Sequence, residues 1–291
     1  MTETERIWTN RRLVRWHMTE WCNYNCSYCP QDHGRRTGRL GHWTDNKPVE
    51  DWLAALKFHF NQYKLSLLIS GGEPMIDYKN LHVLVSSLLE EDYVDAIKID
   101  TNLSVVRPMP VDERLVFMAS YHPEHTGVVQ FLLKLDKAED MGWNFLVINI
   151  VAKPGDFENI RRVKRTIELN GFHVSILPKD GCLNEYSAEE IADLRSWIPP
   201  ADWHIRTGGS PMGMTCLHPA VAYKMYGDGS IEVGCHSRRE GNLFGTLPVL
   251  FEHAIPCPRG QCFCTEKYTF TMDVNHGPMP LKQFTERLAL I

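Results

Sequence analysis

Short apolar runs alternate with amphipathic stretches over the first 180 residues, and this alternation predicts strands separated by helices. Six runs have the length and composition of buried strands: residues 13–18, 65–70, 96–100, 116–120, 145–150 and 172–177. Between them, segments such as 48–60 and 157–171 carry apolar side chains at helical spacing. Strands that alternate with helices indicate a parallel sheet or barrel. Six strands are too few for a closed eight-stranded barrel, so the sequence predicts an open, partial (β/α)6 barrel of the α/β class.

The pattern changes near residue 200. Ser187 and Glu190 form a capping box at the start of a helix, and Pro199 and Pro200 end that helix. The following stretch "VAYKMYGDGSIEVGC" alternates apolar and polar residues on either side of a Gly-Asp-Gly turn, which predicts a β-hairpin. We therefore expect a barrel domain over residues 1–204 and a small hairpin-containing domain over residues 205–291.

Composition narrows the possible partners. The chain of 291 residues is 43% apolar and 23% charged, with a formal net charge of −5, so no nucleic-acid partner is expected. The polar N-terminus does not resemble a signal peptide, and no apolar run approaches the ~20 residues of a membrane span, so we expect no membrane partner. A cytoplasmic location is predicted. The cytosol keeps thiols reduced, and eight of the nine cysteines are gathered at two places, which indicates metal binding rather than disulfides.

The stretch "WCNYNCSYCP" supplies three of these cysteines, Cys22, Cys26 and Cys29, immediately after the first predicted strand. His33 follows at a spacing that would complete a closed zinc site, and reduced structural cysteines without metal are a further alternative. Three thiolates also suit a [4Fe–4S] cluster whose fourth iron stays open to a substrate or cofactor. The residues alone leave these alternatives open.

The spacing Cys22-x3-Cys26-x2-Cys29, with Tyr28 before the last cysteine, resembles the cluster signature of the radical S-adenosylmethionine (SAM) enzymes. The stretch "SGGEP" at the end of the next predicted strand is similar to the family's glycine–glutamate motif. Its members here are Gly71, Gly72, Glu73 and Pro74. Weaker similarities follow the next two strands, at Asn102 in "DTNLS", where Leu103 replaces a glycine, and at Ser120 in "ASYHPE".

This resemblance implies a [4Fe–4S] cluster held by the three cysteines and by the amino and carboxylate groups of SAM. It implies that Glu73 meets the methionine amino group, as a carboxylate suits an ammonium. It also implies an external reductant such as flavodoxin or ferredoxin. An electron from the cluster then cleaves SAM, and the resulting 5′-deoxyadenosyl radical abstracts a hydrogen atom from the substrate.

The second group of cysteines resembles the SPASM and shorter "twitch" extensions of the same family, which bind auxiliary iron–sulfur clusters. Its members are Cys216, Cys235, Cys257, Cys262 and Cys264. Five thiols suit one auxiliary [4Fe–4S] cluster rather than two, with Cys216 and Cys235 flanking the hairpin and two of the other three completing the set. A structural zinc site made from the same thiols is the alternative.

The compact chain resembles twitch-type members that oxidise or epimerise a hydroxyl-bearing carbon, so a small-molecule substrate of the sugar or aminocyclitol type is expected. His122, Glu124 and Asp180 are candidates for the acid–base residue. Cys182 is a candidate hydrogen donor, with a buried core position as the alternative. A maturase that acts on a ribosomally made peptide and a non-catalytic metal-binding module are the other functions considered.

Overall fold

The computed structural model describes residues 10–29, 42–179, 182–198, 212–213, 215–216, 218–233, 240–253, 255–257 and 271–272. The first six strands are β1 (Arg11–Thr19), β2 (Lys64–Gly71), β3 (Val94–Thr101), β4 (Leu115–Tyr121), β5 (Phe145–Ala152) and β6 (Val174–Pro178). The helices that accompany them are α1 (Trp43–Asn46), α2 (Val49–Phe60), α3 (Tyr78–Leu89), α4 (Val128–Asp140), α5 (Phe157–Leu169) and α6 (Ala188–Trp197).

The six strands pair in parallel in their chain order, from β1 to β6. This arrangement confirms the predicted α/β fold with a partial (β/α)6 barrel. In a parallel sheet all carboxyl ends lie at one edge, so the segments after β1, β2, β3 and β4 are brought together there. The capping box predicted at the start of α6 is also present, since Ser187 and Glu190 bond each other's backbone N–H groups.

The alternation of strands and helices is broken once, between β3 and β4. Residues 102–114 form neither helix nor strand, and they include Pro108 and Pro110, each of which lacks the N–H that a helix needs. Two side chains hold this segment: the Tyr78 hydroxyl donates to the Pro108 carbonyl at 2.8 Å, and the Trp143 indole N–H donates to the Arg107 carbonyl at 3.0 Å. The predicted alternation of strands with helices is therefore wrong for this connection.

One face of the sheet is apolar and packs against the helices. Trp16 of β1 is fully buried, with its ring 4.6 Å from that of Trp52 in α2 and 5.4 Å from that of Trp43 in α1. Side chains alternate between the faces of a strand, so the neighbours of these core residues point to the opposite, concave face. That face lines the inside of the partial barrel.

The predicted hairpin is present and extends the barrel sheet. Its strands are β8 (Ala222–Tyr226) and β9 (Ser230–Glu232), and β8 pairs in parallel with β1. A short helix, α7 (His218–Val221), precedes it, and β10 (Glu240–Asn242) pairs with β9. A separate small sheet contains β7 (Thr215–Cys216), β11 (Ile255–Pro256) and β12 (Thr271–Met272). The boundary near residue 205 stays a prediction. Within the described ranges, no helix is both long and apolar enough to cross a membrane.

Candidate functional site

Cys22, Cys26 and Cys29 lie in one loop directly after β1, which we call the cysteine loop (residues 20–29). Burial raises the pKa of the Cys26 thiol to about 11, and the neighbouring Cys29 and Cys22 act in the same direction. The three sulfur atoms are thus near enough to repel one another as thiolates, an arrangement that a bound cationic group relieves. No three His, Cys, Asp or Glu side chains of the described part are placed around a single metal ion. In an iron–sulfur cluster each thiolate binds a separate iron, so three thiolates in one loop are a suitable donor set for three of the four irons.

The glycine–glutamate motif after β2 lies against this loop. Gly72 N–H donates to the Thr19 carbonyl at 2.6 Å, and Glu73 N–H donates to the Trp21 carbonyl at 2.7 Å. A Cβ atom at Gly72 would lie 2.0 Å from the Trp21 carbonyl oxygen, and one at Gly71 would lie 2.3 Å from the Thr19 oxygen. Only glycine permits such a close approach of two backbones. The two predicted motifs therefore form one continuous structure.

The Glu73 side chain has partners other than the predicted methionine ammonium. It is completely buried, and its carboxylate accepts hydrogen bonds from Met75 N–H at 3.0 Å, the Thr101 hydroxyl at 2.9 Å and Asn102 N–H at 2.5 Å. Burial raises the pKa of Glu73 to about 7, against the lowering effect of these donors. Through these hydrogen bonds the carboxylate links the segment after β2 to the end of β3. Pro74 is also buried and begins a short 3-10 helix, Pro74–Asp77.

Asn102, a predicted SAM-binding residue, contacts the cysteine loop. Its side-chain amide donates to the Asn23 side-chain oxygen at 3.0 Å and lies 3.6 Å from the Cys22 sulfur. Leu103, which replaces the family's glycine, is the one non-glycine residue of the described chain with a positive φ, at 57°. Its side chain is fully buried, and the free energy gained by this burial offsets the cost of the left-handed backbone conformation.

Ser120, another predicted SAM-binding residue, is half-buried at the end of β4 beside Asn149 of β5. It lies at the same edge of the sheet as the cysteine loop, and no described contact assigns it a ligand. Tyr28 is buried within the loop, and its hydroxyl lies 3.0 Å from the Nδ1 atom of His122.

The two described acid–base candidates contact the cysteine loop. Nδ1 of His122 is 3.4 Å from the Cys26 sulfur, and burial lowers the pKa of this histidine to about 4. Glu124 accepts hydrogen bonds from the backbone and side chain of Ser27, and Lys153 lowers the pKa of this carboxyl to about 2. A carboxylate so firmly ionised is a weak proton acceptor near neutral pH, since catalytic bases work best with a pKa close to the working pH. These contacts favour support of the loop over proton transfer for Glu124.

The remaining candidates are distributed as follows. Cys182 is 6% exposed and belongs to the hydrophobic core, which favours the core alternative over a hydrogen donor. Cys216 lies on β7 of the small sheet. The buried Cys257 directly follows β11, the strand that pairs with β7. The rest lie outside the described residues: Asp180, Cys235, Cys262 and Cys264. The auxiliary cluster stays a prediction.

Sequence reasoning missed a group of polar side chains on the concave face. Lys98 and Asp100 alternate with apolar residues of β3, and they form an ion pair at 3.1 Å. Ser70 on the adjacent strand is only 4% exposed. Its hydroxyl has no hydrogen-bond partner within the described ranges. The sequence did contain a signal for this group, since charged residues stand at alternate positions in the apolar stretch "IKID". Charged side chains on one face of a buried strand indicate a polar environment there.

Comparison with known proteins agrees with this geometry. The profile of the Radical SAM superfamily matches residues 16–198, which is more than half of the chain. The chain therefore belongs to the radical SAM superfamily. No curated sequence matches it significantly.

Solved structures show similarity of fold. Native anSMEcpe with bound AdoMet (SAM) matches with a TM-score of 0.59 at 14% identity, over 80% of this chain and 78% of that chain. A histidine-tagged form of anSMEcpe with bound AdoMet gives a TM-score of 0.52, also at 14% identity, over 80% and 75%. BtrN in complex with AdoMet and 2-DOIA gives 0.41 at 15% identity, over 80% and 78%, a score too low to support an inference.

Proposed function

We propose that this protein binds a [4Fe–4S] cluster through Cys22, Cys26 and Cys29, cleaves SAM, and oxidises or epimerises a small hydroxylated substrate. When bound, the cluster supplies the electron that cleaves SAM. The observation that carries the proposal is the seating of the glycine–glutamate motif on the cysteine loop, through the bonds from Gly72 and Glu73 to the loop backbone. A cofactor that spans both motifs would then contact the loop and the end of β2 together. The similarity of fold to anSMEcpe, which was solved with bound AdoMet, supports the choice of SAM as the cofactor.

A polar concave face supports the choice of a small hydroxylated substrate. Ser70, Lys98 and Asp100 lie inside the barrel, on strands whose ends carry the proposed cofactor site. Asp100 can accept a hydrogen bond from a hydroxyl or ammonium group, and Ser70 can donate or accept one. Buried polar groups need partners, so a substrate rich in hydroxyl groups matches this surface better than an apolar one.

Iron analysis and SAM cleavage test the first part of the proposal. The triple variant Cys22→Ala/Cys26→Ala/Cys29→Ala should lose about four irons per chain after anaerobic reconstitution, one cube's worth. It should also form no 5′-deoxyadenosine in the presence of dithionite. Cys182→Ala, which removes a core thiol, is the matched control and should keep both properties. Formation of 5′-deoxyadenosine by the triple variant would disprove the cluster assignment.

Identification of the hydrogen source tests the second part. The reconstituted protein would be incubated with SAM and separate panels of deuterated sugars, aminocyclitols and short peptides. Deuterium in 5′-deoxyadenosine from a carbinol carbon, with a ketone or an inverted alcohol as product, is the expected result. Transfer from a peptide alone would favour a peptide maturase and reject the small-molecule assignment.

A further inference from the structure

The middle of the cysteine loop is held by a carboxylate from another part of the barrel. Ser27 lies between Cys26 and Cys29, and its N–H donates to Oε2 of Glu124 at 2.7 Å. The Ser27 hydroxyl donates to the other oxygen, Oε1, at 2.5 Å. Glu124 follows the end of β4, about a hundred residues further along the chain. One side chain thus fixes both the backbone and the hydroxyl of a residue between two proposed cluster ligands.

Lys153 completes this arrangement from the end of β5. Its ammonium donates to Oε1 of Glu124 at 2.7 Å and to the Ser27 hydroxyl at 3.3 Å. The same nitrogen lies 5.5 Å from the centre of the Tyr28 ring. The pKa of Glu124 is lowered to about 2, mainly by Lys153, so the carboxylate keeps its acceptor oxygens at neutral pH. The side chains of Glu124 and Lys153 are only 26% and 32% exposed.

A simple surface ion pair does not explain this geometry. Exposed ion pairs contribute little to stability and involve only the two charged groups. Here the carboxylate also accepts from a backbone N–H of the loop, and bonds that involve a charged group are stronger than neutral ones. A loop that must present sulfur atoms at fixed spacing gains from such bonds, because they reduce its conformational freedom before any cofactor binds.

We propose that Glu124 and Lys153 are positioning residues, which hold the segment between Cys26 and Cys29 in place and set the charge beside the cluster. The second half of this inference rests on the proposed assignment of the cluster to the cysteine loop. Reduction adds negative charge to the cluster, so removal of the nearby carboxylate should make reduction easier. Removal of the nearby ammonium should make it harder.

The first test needs no iron. Hydrogen–deuterium exchange of the apo protein would be followed over residues 22–29 in the wild type, Glu124→Gln and Ser27→Ala. Glu168→Gln, which breaks the exposed Lys164–Glu168 pair on α5, is the matched control. We expect exchange in this loop about tenfold faster in Glu124→Gln, as one charge-assisted bond is lost, and unchanged in Glu168→Gln. Equal exchange in Glu124→Gln and the wild type would overturn the proposal.

The second test measures the reduction potential of the cluster whose electron paramagnetic resonance signal changes when SAM is added. Glu124→Gln should raise this potential and Lys153→Met should lower it. General loosening of the loop would move both variants in one direction, and that result would reject the electrostatic role. If the wild type assembles no such cluster, the proposed function fails, while the exchange measurement still decides whether Glu124 holds the loop.

The exchanged pair Glu124→Lys/Lys153→Glu separates the two explanations. It restores opposite charges, but lysine has no acceptor for the Ser27 N–H. Exchange should therefore stay fast in this double variant if Glu124 acts through Ser27. Recovery of wild-type exchange would show that the ion pair alone matters and would overturn the positioning role.

Discussion

At the scale of single residues, the site depends on a backbone contact that admits no side chain. Gly72 passes so close to the Trp21 carbonyl that a Cβ atom would lie 2.0 Å from its oxygen. Both partners are backbone atoms, which cannot rotate away as a side chain can. The same contact joins the proposed cofactor motif to the cysteine loop, so stability and cofactor binding are expected to change together at this position.

Replacement of Gly72 by alanine should lower the free energy of unfolding by about 1–3 kcal/mol, the usual cost of overpacking. It should also weaken SAM binding, because the loop and the end of β2 must separate. Chemical denaturation and SAM titration measure the two effects. Gly127→Ala is the matched control, since a Cβ atom there meets nothing within 4 Å. Equal stability of the two variants would show that the contact is not close in solution.

The buried Glu73 predicts a pH dependence. Its folded pKa of about 7 lies above the ordinary value of 4.5, so the folded state binds the proton more tightly than the unfolded state. The contribution of Glu73 to stability is therefore greatest below pH 4.5 and falls as the pH rises towards 7, by up to about 3 kcal/mol.

Urea unfolding of the wild type and Glu73→Gln between pH 5 and 8 measures this effect. We expect the wild type to lose stability relative to Glu73→Gln across this range, as glutamine does not ionise. Glu189→Gln, at a side chain that is 79% exposed, should follow the wild type. A constant difference between the wild type and Glu73→Gln would show that the three donors keep the carboxylate ionised throughout.

At the scale of elements, the start of α6 is connected to the end of the barrel through one carboxylate. Glu190 accepts from Ser187 N–H at 2.8 Å within the capping box and from Gly155 N–H at 2.7 Å in the turn before α5. The Ser187 hydroxyl accepts from the Glu190 N–H at 3.2 Å, within the same helix. The serine therefore stabilises one helix end, whereas the glutamate stabilises the helix and its contact with the neighbouring turn.

Ser187→Ala should cost about 1 kcal/mol, as expected for loss of a helix cap. Glu190→Ala should cost about twice as much, because two charge-assisted bonds are lost together. Glu189→Ala, one position away and exposed, is the control and should change stability by less than about 0.5 kcal/mol. Equal losses for Ser187→Ala and Glu190→Ala would indicate that the bond to Gly155 contributes nothing.

At the scale of the whole molecule, the C-terminal part contributes to the barrel itself. β8 occupies the free edge of β1, and Met225, Ile231 and Leu243 are buried in the same core as the barrel residues. The ring of Phe244 lies 4.8 Å from that of Trp52 in α2. An apolar side chain contributes about 1.5–3 kcal/mol when fully buried, so these residues together supply a large share of a typical net stability of about 5–15 kcal/mol.

The fragment 1–204 should therefore fail to fold stably, although the predicted boundary places it in one domain. Circular dichroism and a thermal scan of the fragment would show a broad, early transition or aggregation through the exposed edge of β1. A cooperative transition at the temperature of the full chain would instead support two independent domains.

The sequence by itself determined the six strands, the parallel α/β class and the two motifs, because each follows from a local pattern. Periodic apolar residues mark β1 to β6, and the spacing of Cys22, Cys26 and Cys29 resembles a family signature that the superfamily match supports. The helix cap at Ser187 was equally readable. Within the described part of the barrel, the connection before β4 departs from this pattern, since it contains Pro108 and Pro110 and no helix.

The tertiary structure decided what each side chain contacts. The sequence indicated Glu124 as an acid–base candidate and gave no role to Lys153. Folding brings both side chains onto Ser27, which lies about a hundred residues earlier or more. The side chain of Glu73 is buried and accepts a hydrogen bond from the backbone of Asn102. The strand β8 pairs with β1, which lies some two hundred residues earlier in the chain. Such contacts depend on strand order, strand ends and the curvature of the whole sheet, none of which is encoded in a local run of residues.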